Sequence, residues 1–267
     1  MTPTLEDILD LLEEVAPSGL AASWDNPGLQ VGRRRARIGK IHFALDPTPA
    51  ALKSAGDQGC ELLLTHHPLI FRPVSCLDLS AYPGNVILDA VKSDISVVSV
   101  HTNLDAARGG INDILADLMG LASVQVLEEM DGMPGAGMGR IGRLPRAMEV
   151  PVFAEKVKRV MGCLRVGVAG PGDAVVRRVA VVGGSGGSFV SLASEKGADL
   201  LLTGDVGHHH ALSAESAGMV LMDAGHFNTE RTAFEEFARR MAKRFEAKGW
   251  AVSVSVHPDR RDPLRQA

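Results

Sequence analysis

Residues 41–65, IHFALDPTPAALKSAGDQGCELLLT, align without a gap to residues 179–203, VAVVGGSGGSFVSLASEKGADLLLT, at a constant offset of 138 residues. The identities are Ala55/Ala193, Gly59/Gly197, Leu62/Leu200, Leu63/Leu201, Leu64/Leu202 and Thr65/Thr203. Each copy reads as a strand, a tight turn, a helix, a glycine stop and a second buried strand ending at threonine. A chain that uses this unit twice is confined to α/β architecture with largely parallel strands, because the helical crossover returns the chain in the same direction. After the first copy comes ISVVSVHTNLD, with His101 and Asp105. After the second comes MVLMDAGHFNTE, with His226 and Glu230, both at an offset of 125. Each half therefore ends a strand with His-x-x-x-acid. In open parallel sheets ligands gather at the carboxyl ends of the strands, so the site is expected at that edge, between two related lobes.

The remaining pattern fills in the same alternation. Strands are predicted over 41–45, 61–65, 95–100, 179–182, 199–203, 219–222 and 251–256, and helices over 48–58, 84–93, 110–119, 151–161, 187–196 and 230–247. Thr4 with Asp7 marks a helix start, followed by Leu5, Ile8, Leu9, Leu12 and Val15 at helical spacing and a stop at Pro17 and Gly19. The reading is two interlinked α/β lobes with mixed, largely parallel sheets, 1–125 and 126–267, with the glycine-rich stretch 131–145 as the best connection between halves. The amino-terminal segment MTPTLEDILDLLEEVAPSG carries acids where a signal peptide needs an apolar run, and no apolar run approaches the roughly 20 residues that span a bilayer. A cytoplasmic, reduced setting is expected, with no membrane partner.

Composition narrows the chemistry. The chain has nine histidines but only three cysteines, Cys60, Cys76 and Cys163, without paired spacing, which excludes a disulfide scaffold and a thiolate zinc site. A net charge of -4 and 4% aromatic residues argue against a nucleic-acid partner. His42 and His257 stand outside any constellation. The others cluster at 66–67, 101, 208–210 and 226, at predicted strand ends or the loops after them. His66 and His67 follow LLLT directly. Adjacent strand side chains point to opposite faces, so if both bind metal the chain leaves strand geometry there, and Pro68 supports such a turn. With His226 they make three imidazoles. Asp105 and Glu230 supply carboxylates that can bridge two ions. Nitrogen and oxygen donors without thiolate suit zinc, iron, manganese or nickel. Two such ions would activate water and polarise a substrate oxygen, the logic of dinuclear hydrolases, with His101 and His208–His210 as proton carriers or substrate contacts.

Plainer readings stand beside these. An adjacent His pair can cap a loop; Asp105 can begin a helix; Glu230 can sit in a first helical turn for dipole reasons. GGSGGS (183–188) can be a tight turn or a phosphate cradle, although it lacks a P-loop lysine. SWDNPGLQVG (23–32) can be a structural turn or the rim of a site. The helix over 230–247, with Phe234, Phe237, Met241 and Phe245, reads as an amphipathic docking helix.

The ordered motifs WDNPGLQVG, LLLTHHPLIF, HTNLDAARGGIND, GMGRIGRLP, GGSGGSFVSLASEKGADLLLTGDVGHHHAL and DAGHFNTE closely resemble the family of GTP cyclohydrolase 1 type 2 homologues, also called NIF-three-like or dinuclear-metal-centre hexameric proteins. The resemblance spans nearly the whole chain. It implies a two-lobed α/β fold, a toroidal homohexamer, and two divalent metal ions per chain held by His66, His67, Asp105, His226 and Glu230, with His101 and His209 near the site as catalytic residues. The short span from about 126 to 178 leaves little room for the inserted domain of some members. His208 and His210 stand where relatives carry an aromatic and an acid. Three functions follow as expectations: a metal-dependent hydrolase of a nucleotide or related small molecule; a metal-binding regulatory or structural assembly protein; and a nucleotide scaffold using GGSGGS.

Overall fold

The computed structural model describes residues 1–258 and 262–264. The chain divides into two compact units, Met1–Leu104 with Phe234–Ala267, and Asp105–Ala233. The first unit opens on α1 (Leu5–Val15), started by the expected capping box. The Thr4 hydroxyl accepts the Asp7 amide at 3.2 Å, and the Asp7 carboxylate accepts the Thr4 amide at 2.7 Å. Then follow β1 (Gly28–Val31), β2 (Lys40–Ala44), α2 (Pro49–Asp57), β3 (Leu62–Thr65), α3 (Gly84–Lys92), β4 (Ser96–Ser99) and α4 (Thr102–Ala106), whose last two residues belong to the second unit. The second unit contains α5 (Ile111–Leu118), β5 (Ala122–Glu129), β6 (Gly137–Glu149), α6 (Val150–Met161), β7 (Gly167–Ala169), β8 (Val175–Ser185), α7 (Val190–Glu195), β9 (Leu200–Gly204), α8 (His208–Ser216) and β10 (Val220–Asp223). The long α9 (His226–Ala247) begins in the second unit and ends in the first, where β11 (Ser253–Val256) closes the described fold.

The first sheet has the order β1-β4-β3-β2-β11, with β1 antiparallel to its neighbour and the rest parallel. The second has the order β5-β6-β8-β9-β10-β7, with β8, β9 and β10 parallel and the flanking pairs antiparallel. Both are mixed α/β sheets, as the alternation of elements predicts. One face of the first sheet buries Leu63 and Val97 with Leu52, Ala55 and Val86 from α2 and α3. On the other side of β2, Phe43 meets Phe234 and Phe237 of α9 at 5.9 and 6.4 Å between ring centroids. In the second unit Leu201, Leu221 and Val182 pack with Val190 and Ala193 of α7 and Ala214 of α8. These apolar contacts set where each strand ends.

The internal repeat is carried into the ladders. Ile41, His42 and Phe43 pair with Leu62, Leu63 and Leu64; Val179, Ala180 and Val181 pair with Leu200, Leu201 and Leu202. On the other side Thr65 pairs with Ser99, and Thr203 with Asp223. From there His101 follows two residues after its strand and His226 three, the extra residue accommodating Gly225. The stretch 131–145 departs from the reading as a connection between halves. Only its first part turns, and from Gly137 it is the long strand β6, in a hairpin with β5. A Cβ on Gly137 (φ +145°) would overlap the Glu128 carbonyl, so this glycine serves close strand approach rather than linker freedom. Among the described residues no helix is long and apolar enough to cross a membrane.

Candidate metal centre

In the first unit β3 ends at Thr65 and the chain bends at once. The Thr65 hydroxyl donates to the His67 carbonyl at 2.7 Å, and the His67 amide donates to the Leu45 carbonyl at 3.0 Å. This is the departure from strand geometry that a liganding pair requires, and it brings the His66 and His67 rings to 5.1 Å between centroids. His101, which follows the neighbouring parallel strand, stands 5.3 Å from the His66 ring and 5.4 Å from the His67 ring. The three residues each offer a ligand atom within 4.8 Å of the others.

Their other ring nitrogens are committed. His66 Nδ1 donates to the Val100 carbonyl at 2.8 Å, His67 Nδ1 to Asp46 Oδ1 at 2.7 Å, and His101 Nδ1 to Asp25 Oδ1 at 2.7 Å. A carbonyl or carboxylate only accepts, so each Nδ1 carries a proton, and Nε2 is the nitrogen left to ligate metal or exchange a proton. Asp25 is the most strongly held of these acceptors, its side chain 0% exposed. Burial acts to raise its carboxyl, but hydrogen bonds from His101 and Thr102 and the His101 charge outweigh that and bring it down to about 2.

In the second unit His226 and Glu230 lie one turn apart at the head of α9, with Nε2 and Oε2 2.9 Å apart. His226 Nδ1 donates to Asp205 Oδ2 at 2.7 Å. Two carboxylates facing its two nitrogens favour the protonated ring. The Glu230 hydrogen bond, opposed by burial and aided by both carboxylate charges, pushes His226 up to about 9. An imidazole nitrogen and a carboxylate oxygen side by side are also donor types that a divalent ion takes. The donor set fits a divalent ion, whose positive charge would replace that proton.

The glycine-rich loop makes room for this pair. Gly184 has φ +64°, and a Cβ there would overlap Glu230 Oε1. Its amide donates to Thr229 Oγ1 at 3.0 Å and its carbonyl accepts from the Thr203 hydroxyl at 3.2 Å. Asn112, buried and absent from the sequence reading, donates to the Asp105 carbonyl at 3.0 Å and accepts the Gly183 amide at 2.9 Å. Close approach, rather than turn geometry alone, is what requires glycine at 184.

Among the residues singled out in the sequence, the structure thus groups His66, His67 and His101 in the first unit, and His226 with Glu230 in the second. Asp105 is buried, 6% exposed, in α4. His209 is exposed in the first turn of α8 beside His208, while His210 is half-buried and packs against Gly187. The orienting roles of Asp46 and Asp205 were missing from the sequence reading. A signal existed: each is an acid just past a predicted strand.

The chain is similar to known proteins along nearly its whole length. Residues 3–263 match the model of the Duf34/NIF3 (NGG1p interacting factor 3) family. A Clostridium perfringens protein named GTP cyclohydrolase 1 type 2 homolog is 35% identical over 260 residues, covering 97% of this chain and 98% of its own. A Staphylococcus aureus protein of known structure superposes with a TM-score of 0.94 at 26% identity, over 100% of both chains. A Bacillus cereus protein related to NIF3 superposes with a TM-score of 0.92 at 25% identity, also over 100% of both.

Proposed function

Because the chain belongs to the Duf34/NIF3 family, we propose that it is a metal-dependent hydrolase of a nucleotide or related small molecule, with His66, His67, Asp105, His226 and Glu230 holding two divalent ions per chain. The observation that carries the reading is the set of four histidines, His66, His67, His101 and His226, each spending Nδ1 on a fixed carbonyl or carboxylate. Histidines that only pack or cap have no need of a common acceptor on Nδ1; rings that turn Nε2 to a metal do. The name borne by the Clostridium relative supports a nucleotide substrate. Bound divalent ions would supply Lewis-acid polarisation of a substrate oxygen and an activated water.

The chain's own residues do the rest. Asp46, Asp25 and Asp205 fix three ring orientations, and Gly184 leaves space for the Glu230 carboxylate. His101, held by Asp25 beside His66 and His67, moves a proton at its Nε2, and exposed His209 assists from α8. The assembly is a homohexamer.

The test is to reconstitute the protein with zinc, iron, manganese or nickel, and to measure metal per chain, oligomer mass and turnover on a nucleotide panel. The expected result is about two ions per chain, with turnover that His67→Ala abolishes together with metal uptake. Full metal occupancy without turnover on any nucleotide or phosphoester would move the protein to the class of metal-binding assembly proteins. Well under one ion per chain would sink the ligand set itself.

A further inference from the structure

The chain is poor in aromatic residues, with eight Phe, two Trp and one Tyr. Nearly all are buried or half-buried. The aromatic side chains left exposed are Trp24 at 60%, Tyr82 at 56% and Phe71 at 43%. Trp24 and Phe71 converge on one histidine. The Trp24 ring lies 6.0 Å from His101 at 71°, Phe71 lies 6.3 Å from His101 at 72°, and the two rings are 5.7 Å apart at 59°. Leaving two large aromatic faces in water costs hydrophobic free energy that the core would otherwise gain. Their placement beside the His66, His67 and His101 cluster calls for a ligand.

The pair is held in place by the segment that follows Trp24. Asp25 accepts from His101, as described above, and Asn26 Nδ2 donates to the Ile70 carbonyl at 2.6 Å. Gln30 Oε1 accepts the Ile70 amide at 3.0 Å, and Gln30 Nε2 donates back to the Asn26 carbonyl at 2.8 Å. The residue before Phe71 is thus pinned on both its backbone groups to the segment after Trp24. WDN is one device: Trp24 presents a ring, Asp25 orients His101, and Asn26 fixes Phe71.

We propose that Trp24 and Phe71, packed against each other at a tilt, form one wall of a preorganised slot, and that a planar nitrogen heterocycle of the substrate stacks on this wall beside the His66, His67 and His101 cluster. The assignment rests on the reading of that cluster as the reacting centre. It restricts the substrate class to molecules with a flat ring, such as a nucleobase, and excludes simple sugar phosphates. Stacking suits this position because each aromatic face offers area without a directional bond, which leaves the reacting atom to be aligned by the histidines.

The test uses the full chain with Trp250→Phe, so that Trp24 is the remaining tryptophan and reports on the slot. Guanosine and ribose 5-phosphate are titrated while metal content and oligomer mass are measured on the same samples. Guanosine is expected to quench Trp24 emission saturably, and ribose 5-phosphate to leave it unchanged. Phe71→Ala is expected to weaken guanosine binding between about 5- and 150-fold, with Phe71→Tyr restoring most of it and metal content constant throughout. Trp24→Ala, followed by calorimetry, is expected to weaken guanosine binding comparably. Metal-loaded protein whose Trp24 emission ignores guanosine overturns the slot and leaves the metal reading standing. Saturable quenching in protein that binds no metal supports the slot and overturns the metal reading. If Trp24→Ala breaks the oligomer while guanosine affinity is retained, Trp24 is a subunit contact and the slot is overturned.

Discussion

The two units carry the same strand-helix-strand repeat in the same ladder register, yet they divide the chemistry differently. Under the offset of 138 that pairs Ile41 with Val179, Asp46 corresponds to Gly184, His66 to Gly204 and His67 to Asp205. In the first unit Asp46 orients His67. In the second, the residue at the His67 position is Asp205, itself the orienting acid, and it serves His226. The residue at the Asp46 position is Gly184, which gives up its side chain so that Glu230 can occupy the space. The histidine position of one unit is the orienting-acid position of the other, on one backbone plan. What the repeat conserves is the location of polar groups at the strand ends; which of them binds and which positions is decided by the side chains that arrive from outside the repeat.

The sharpest way to break this comparison is at the Asp46 and Gly184 positions. Gly184→Ala puts a methyl group into the Glu230 carboxylate and an L-residue at φ +64°. It is expected to cost on the order of 1–3 kcal/mol of stability and to abolish metal retention on His226 and Glu230. Asp46→Ala removes only the partner of a quarter-exposed His67 and leaves the fold stable. Its metal affinity is expected to fall about 10- to 100-fold. Thermal melts and metal analysis of both variants, side by side, check the contrast; equal effects on stability would mean that the two positions play one role.

A second contrast lies inside the ladders, where His42 of the first unit corresponds to Ala180 of the second. His42 is fully buried, with Nδ1 2.7 Å from the Ser255 hydroxyl and its ring 5.6 Å from His257. Burial, with a smaller contribution from the His257 charge, pushes it down to about 4. The unfolded chain takes up this proton near pH 6.5 and the folded chain only near 4, so between those values the unfolded state binds more protons. Stability is therefore expected to fall as pH falls through this window, by up to about 3 kcal/mol from this group. Urea denaturation between pH 7 and 4 should show a steeper decline for the parent than for His42→Ala, and parallel curves would dismiss His42 as the cause.

The parallel triplets were legible because β2, β3 and β4, like β8, β9 and β10, are short apolar runs bounded by turns, and the helices between them carry clear apolar spacing. The position of the histidines followed from the repeat. β6 was hidden because Gly137, Gly139 and Gly142 look like linker residues, whereas their real constraint is a neighbouring strand that no local pattern reveals. The turn after β3 was legible from two adjacent histidines and a proline. The acids behind the histidines were not, since Asp25 reaches His101 across 76 residues and Asp205 reaches His226 across 21. GGSGGS showed its glycines but not their reason, which lies in Glu230.

The orienting acids themselves give the smallest contrast, because both hold a histidine by its Nδ1 but differ in burial. Asp25 has a side chain 0% exposed and accepts from four groups: His101 Nδ1, the Asn26 amide at 2.7 Å, the Thr102 amide at 3.1 Å and the Thr102 hydroxyl. Asp205 is half-exposed, its side chain 50% accessible, and meets His226 alone among these rings. In Asp25→Asn the amide oxygen can still accept from His101, but the NH2 group then faces the Thr102 amide, donor against donor. That variant is expected to lose about 1–3 kcal/mol of stability. Asp205→Asn has water on its free side and is expected to cost under about 1 kcal/mol. It acts instead on metal, because the weaker acceptor no longer raises the basicity of His226, and affinity is expected to drop about tenfold. Denaturant midpoints set against competitive zinc titrations separate the two effects. If Asp205→Asn lost stability and kept its zinc affinity, the half-exposed acid would be a structural partner rather than a positioning one, and the exchange of roles between the two units would fail at that residue.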